Sequence, residues 1–177
     1  TSKHAWLYGN ESQPTNNPGD GSPRRIYDEA QALVGDIPAG ATVKLQKDSG
    51  DTAAYYGIDF IELEQVAPPL TMPANYLSIT DYGATPNDTT DDSNAIQNCI
   101  NAASQQGKGV WIPSGTFYQN NKLLAMPNVT VKGAGMWYSK LYCPNESMGD
   151  WGFIGFNLNN AANFKVYDLA LFGAGTI

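Results

Sequence analysis

Histidine and cysteine are scarce in this sequence: among 177 residues there is one His and there are two Cys. A hydrolytic triad built on imidazole would have to use His4, and no G-x-S-x-G elbow accompanies it, so Ser/His/Asp hydrolysis is set aside. Cys99 and Cys143 do not have zinc-ligand spacing, and the Gly-Ala-Gly at 133–135 lacks the further Gly and acidic partner of a dinucleotide site. Basic residues are also few, ten against seventeen acidic, for a formal net charge of −7. Without a basic run there is no electrostatic footprint for nucleic acid or anionic lipid. A strongly anionic polymer would need a bridging divalent cation, and a neutral polysaccharide fits better. No apolar run approaches the roughly twenty residues of a membrane-spanning helix. Thr1 opens without the charged and apolar regions of a signal peptide, which leaves a cytosolic protein or the interior of a processed one.

What the sequence does have is 42% hydrophobic residues, enough to bury a core, and an ordered series of signals from Leu77 to Phe117. A strand at Leu77 and Ile79 meets a turn cluster from Gly83 to Asp88. Asp88, Asp91 and Asp92 then precede a helix expected over Asp92–Gln106, with Ile96, Cys99, Ile100 and Ala103 at the spacing of one apolar face. The helix stops at Gly107, and Val110–Ile112 and Thr116–Tyr118 read as strands on either side of Pro113. The three carboxylates do not make a calcium loop, since no Gly stands sixth and no Glu twelfth from Asp88. Asp91 and Asp92 are expected to cap the helix, where free N–H groups and the positive end of the helix dipole favour carboxylates.

The two halves of the chain read differently, and the seam is the proline-rich run Ala67–Pro73. Before it, Ala41–Lys47 and Ile58–Val66 alternate apolar and polar residues as half-buried strands do, and 14–23 is a loop of Pro, Asn, Gly and Asp. After it, Asn163–Phe172 reads as one strand. Both ends look cut, so the chain is expected to be a piece of a larger protein that associates with the rest of it.

The run TDYGA, DTTDD, AIQNCI and GKGVWIPSGTF (residues 80–117) resembles the opening coil of the right-handed parallel β-helix in the pectate-lyase-like superfamily. IDFIELEQV (58–66) resembles the last strand of galactose-binding-like β-sandwich modules. Taken together from GSPRR onward, the chain resembles the bacterial α-1,3-glucanase and mycodextranase family. That resemblance implies a mainly β fold in three parts. Residues 1–66 would be an incomplete β-sandwich, 67–75 a Pro-rich linker, and 76–177 the cap helix and first rungs of a parallel β-helix. It also implies a secreted glycoside hydrolase that cleaves α-1,3-glucan, or nigeran, with inversion. The family's catalytic aspartates lie in a D…GDDG-like context on later rungs. No such sequence occurs here, so no catalytic residue is expected in this chain and Asp168 receives no role.

The candidate sites are few. In the resembled sandwich modules an Asp at the position of Asp59 helps hold a structural Ca²⁺, against the alternative of an ordinary strand Asp between inward-facing Ile58 and Phe60. Among the aromatics, Trp137 and Trp151 flank the polar loop Cys143–Asp150 and are the candidates for stacking on sugar rings, with buried packing as the alternative. Trp111, between Val110 and Ile112, reads as core. Cys99 reads as a buried thiol, with a Cys99–Cys143 disulfide as the alternative. Two other functions share the opening-coil sequence. One is another β-helix polysaccharide enzyme, such as a polygalacturonase, a pectate lyase or a β-1,3-glucanase. The other is a non-catalytic glycan-binding tailspike or adhesin.

Overall fold

Backbone contacts separate Thr1–Val66 from Ala67–Thr176 in the computed structural model, which describes residues 6–9, 14–15, 24–25, 33–50, 58, 60–144, 155–159 and 161–173. In the first unit, β1 (Trp6–Gly9) pairs antiparallel with β2 (Pro14–Thr15) and with β3 (Arg24–Arg25). The strands expected at Ala41–Lys47 and Ile58–Val66 do not form among the described residues, and Val43, Leu45, Ile58, Phe60 and Leu63 are exposed. Alternation marks a segment that could lie half-buried in a sheet. A strand exists only when a neighbour completes its ladder, and none of the described residues supplies one here.

The second unit is built on parallel pairing. β4 (Tyr76–Ser78) runs into a 3-10 turn, Ile79–Tyr82, so the expected strand ends one residue before Ile79. After α1 (Ser93–Gln106) come β5 (Gly109–Ile112), β6 (Gly115–Tyr118), β7 (Leu123–Leu124), β8 (Thr130–Gly133), β9 (Ser139–Cys143), β10 (Phe156–Asn157), β11 (Lys165–Tyr167) and β12 (Ala170–Gly173). From β5 onward strands three apart stack in register, and β4 pairs with β5 ahead of them, giving the parallel sheets β4-β5-β8-β11, β6-β9-β12 and β7-β10. This is a parallel β-helix, one coil per three strands. Asn163–Phe172 is therefore not one strand but two, β11 and β12, with Asp168 in the left-handed region (φ 55°) turning the corner between them.

The helix forms where its apolar stripe predicts. Ile96, Cys99, Ile100 and Ala103 are fully buried, and each large side chain among them contributes roughly 1.5–3 kcal/mol by leaving water. Gly107 ends the helix in the left-handed conformation (φ 63°), with Lys108 N donating to Ala103 O at 2.9 Å. The stripe packs into a core of Ile79, Val110, Ile112, Phe117, Leu123, Val131 and Leu141. Along the coils the inward-facing Val110 lies on Val131 and Phe117 on Leu141, so apolar side chains stack at these core levels. Two buried polar side chains replace missing ladder bonds. Ser139 Oγ donates to Ile112 O (2.7 Å) and accepts from Ala134 N (2.7 Å). The Gln119 amide exchanges two bonds with the backbone of Gly155 (2.7 and 3.0 Å).

The proline-rich seam is held to this unit at one corner, where Leu70 N donates to Ala134 O (2.8 Å) and Tyr138 Oη to Ala67 O (2.8 Å). Just before that corner, Gly133 leaves no room for a side chain. A Cβ there would press on the Asp168 carbonyl oxygen and lie 2.8 Å from Ser139 Cβ. Gly133→Ala is therefore expected to lower stability by about 1–3 kcal/mol, while Gly50→Ala, with no atom in reach, should change it by less than about 0.5 kcal/mol. Denaturant unfolding midpoints of the two variants check this.

Candidate functional site

The densest set of polar side chains surrounds the start of α1, where carboxylates were expected to cap the helix. Asp92 does occupy the N-cap position, but its side chain makes no cap bond. Instead Oδ1 accepts from Thr85 N (2.8 Å) and Oδ2 from Tyr118 N (3.0 Å), the latter 26 residues away on β6. Asp91 does serve the helix start, accepting from Ser93 N (3.0 Å) and from the Ser93 hydroxyl, and it also accepts from Asn120 N (3.1 Å). Asn87 completes the arrangement: its N–H donates to Thr116 O (2.8 Å) and its Oδ1 accepts from Thr116 N (3.0 Å). Together these residues lie along the free side of β6 as a substitute strand. On α1, Gln97 does the same for β7, accepting from Leu124 N (2.6 Å) and donating to Leu124 O (3.1 Å).

The electrostatics agree with a structural role. Burial pushes the Asp92 carboxyl above the ordinary carboxylate range, against the two backbone donors that favour its ionised form. Burial acts in the same direction on Asp91, but the bonds from Ser93, Asn120 and Asn121 outweigh it and hold that carboxyl below the range. Cys99 is a free thiol donating to Leu77 O (3.4 Å), and burial pushes it up to about 12, so it is not a nucleophile. On a different coil, Asp168 pairs with Lys132 at 3.5 Å.

Of the residues expected to bind ligands, Asp59 and Trp151 lie outside the described residues, as does most of the loop Cys143–Asp150. The neighbours of Asp59, Ile58 and Phe60, are exposed rather than inward-facing. Among the described residues no group of three His, Cys, Asp or Glu side chains offers a donor set for Ca²⁺. Trp137 is half-buried in the turn between β8 and β9, and Trp111 is buried as expected. The structure brings together three rings that no sequence signal singled out. Tyr118, Tyr142 and Phe172 share one register level of β6, β9 and β12, on the face opposite the core residues Phe117 and Leu141. Each follows an apolar residue in its strand, which is a signal too common to select them without the pairing. A hollow of about 200 Å³ near Asn75, Gly107 and Asn128 contains no carboxylate.

Comparison with known proteins divides the chain at the same place. Residues 1–66 match the family model described as alpha-1,3-glucanase catalytic domain D1, and residues 76–166 match rhamnogalacturonase A/epimerase, pectate lyase-like. Among solved structures, the catalytic unit of a thermostable GH87 alpha-1,3-glucanase from Streptomyces thermodiastaticus is 33% identical, with a TM-score of 0.51 over 62% of this chain and 19% of that one. The Agl-KA catalytic domain is 27% identical, with a TM-score of 0.55 over 80% of this chain and 26% of that one. An iota-carrageenase of Alteromonas macleodii is 46% identical over 52 residues, 28% of this chain and 11% of its own length. This chain thus spans about a quarter or less of the relatives named here, and it is homologous to glycoside hydrolase catalytic domains.

The substitute strand makes a prediction about pH. A carboxyl whose folded value is depressed contributes stability above its unfolded value and loses it as pH falls through the folded one. The advantage of the native protein over Asp91→Asn should therefore be complete above the ordinary value of 3.8 and shrink below it. Asp92, whose folded value is raised, acts in the opposite sense, its ionisation costing stability as pH rises from 3.8 through that higher value. Asp92→Asn should nonetheless destabilise by about 1–3 kcal/mol at neutral pH, because an amide can accept from only one of Thr85 N and Tyr118 N. Unfolding midpoints measured from pH 2.5 to 7, on the order of that whole window, check both.

Proposed function

We propose that this chain, which belongs to the rhamnogalacturonase A/epimerase, pectate lyase-like family, is the opening part of the catalytic region of a secreted glycosidase that cleaves α-1,3-glucan with inversion. The observation that carries this reading is the order of two matches. A segment matching alpha-1,3-glucanase domain D1 runs directly into a pectate-lyase-like solenoid, with the division at the proline seam. The likeness to a solved GH87 alpha-1,3-glucanase, 33% identical over 62% of this chain, supports the same reading.

Inversion needs one carboxylic acid to protonate the leaving oxygen and a second carboxylate, about 6.5–9.5 Å away, to activate water. Three of the described carboxylates, Asp91, Asp92 and Asp168, are poorly suited to that task. Asp91 and Asp92 spend their lone pairs on backbone N–H groups, and Asp168 is paired with Lys132. The reading therefore places the catalytic pair outside residues 1–177 and gives this chain the work of founding the solenoid that presents it. The iota-carrageenase likeness favours one other reading, a carrageenan as substrate. The net charge of −7 counts against so anionic a polymer.

Residues 1–177 alone should release no sugar from α-1,3-glucan, whereas the full protein should do so. Proton NMR of the early products should show the anomer opposite to the substrate's, the β form. Early release of the α form would overturn inversion, and hydrolysis of carrageenan without glucan would move the substrate to the second reading.

A further inference from the structure

Where the chain leaves α1 and enters the four-stranded sheet, a hollow of about 200 Å³ opens to solvent between Asn75, Tyr76, Lys108, Asn128 and Thr130. Coil stacking brings these residues together from the start of β4, the helix stop before β5 and the corner that opens β8. Tyr76 pairs with Gly109, and Gly109 and Thr130 each stand one residue before the Val110–Val131 pair, so the three share one level. Val110 and Val131 belong to the core, which puts this neighbouring level on the outward face. Gly109 offers no side chain there, and a Cβ on it would press on the Tyr76 ring.

Every side chain lining the hollow ends in a hydrogen-bonding group, and none is a carboxylate. Tyr76, Lys108 and Thr130 are half-buried, yet their phenol, ammonium and hydroxyl groups make no bond or ion pair among the described residues. The polar side chains at the start of α1 differ, since theirs are spent on the backbone.

We propose that this hollow is a binding subsite for one hexose unit of a neutral polysaccharide. The proposal rests on the reading of the protein as a polysaccharide-cleaving enzyme, and it gives this chain a place where the polymer is held rather than cut. Without a carboxylate the hollow supplies neither the acid nor the base of an inverting hydrolysis. Its volume is below the roughly 300–1,000 Å³ of sites for drug-sized ligands, which suits a single ring. Its groups include a donor-only ammonium and hydroxyls that donate and accept, and sugar hydroxyls answer both. Lys108 is the only charged residue in the lining, whereas a polyanion calls for a run of cations.

Co-sedimentation of the full protein with insoluble α-1,3-glucan tests the subsite, with folding of each variant checked by circular dichroism. Lys108→Met, which keeps the stem and removes the donors, should weaken retention by about tenfold, the loss of one charge-assisted hydrogen bond. Thr130→Val, of the same shape without the hydroxyl, should weaken it by about threefold. Lys108→Gln keeps a donor without the charge and should stay within about threefold of the native protein. Lys140→Met, on a different sheet, is the control and should bind as the native protein does. Should Lys108→Met fail to fold, Thr130→Val reads the loss by itself. Folded Lys108→Met and Thr130→Val proteins that are retained undiminished overturn the subsite, as does a native protein that is not retained. A Lys108→Gln protein as weak as Lys108→Met overturns the neutral sugar in favour of an anionic ligand. If the variants bind undiminished while the native protein hydrolyses glucan, the enzyme reading stands without the subsite. Retention that falls with the variants in a protein that releases no sugar leaves the subsite standing and overturns the hydrolase.

Discussion

A stack of parallel strands has a first coil, and the first coil has no neighbour to take its backbone hydrogen bonds. Each N–H or C=O left buried without a partner costs about 1–3 kcal/mol, and an open edge also invites pairing with another chain. In this protein three different devices close that edge. β4 pairs with β5, the segment Asn87–Asp92 lies along β6, and the Gln97 amide serves β7. The last two use side chains as surrogates for backbone: an Asn or Gln amide carries the same donor and acceptor as a peptide group, and a carboxylate supplies acceptors for two N–H groups at once.

The placement of α1 follows from the same constraint. Its apolar stripe faces the core while Gln97 reaches over the rim to Leu124, so packing and edge closure hold the helix in one position. The coils that follow share their corner chemistry. Gly107, Asn128 and Asn163 stand two residues before β5, β8 and β11 with φ of 63°, 60° and 58°, and Asn163 donates to Asn128 Oδ1 at 3.1 Å. Asn tolerates the left-handed region better than any bulky residue, and its side chain bonds the next Asn in the stack.

These commitments also decide where chemistry can be. A carboxylate used to close an edge is not available to shuttle protons, which removes Asp91 and Asp92 from the candidates and leaves the outward faces of the sheets as the surfaces free to meet a ligand. The likeness to glycoside hydrolase catalytic domains covers this same solenoid.

The sequence by itself determined the elements whose cause is local. The spacing of Ile96, Cys99, Ile100 and Ala103 made the helix, Gly107 ended it, the prolines at 68, 69 and 73 marked the seam, and the series from Leu77 to Phe117 announced a parallel solenoid. Tertiary structure alone decided what depends on register between distant residues. Asp92 looked like a helix cap because its sequence neighbours are helical, but its partner Tyr118 N is 26 residues away. Asn163–Phe172 looked like one strand because its apolar content is continuous, and only stacking on β8 and β9 breaks it at Asp168. The alternation at 41–47 looked like a strand, and no ladder among the described residues completed it. Tyr118, Tyr142 and Phe172 become one row only through coil-on-coil pairing. Periodicity reports which way a side chain points relative to its own strand, whereas register depends on the closure of each coil.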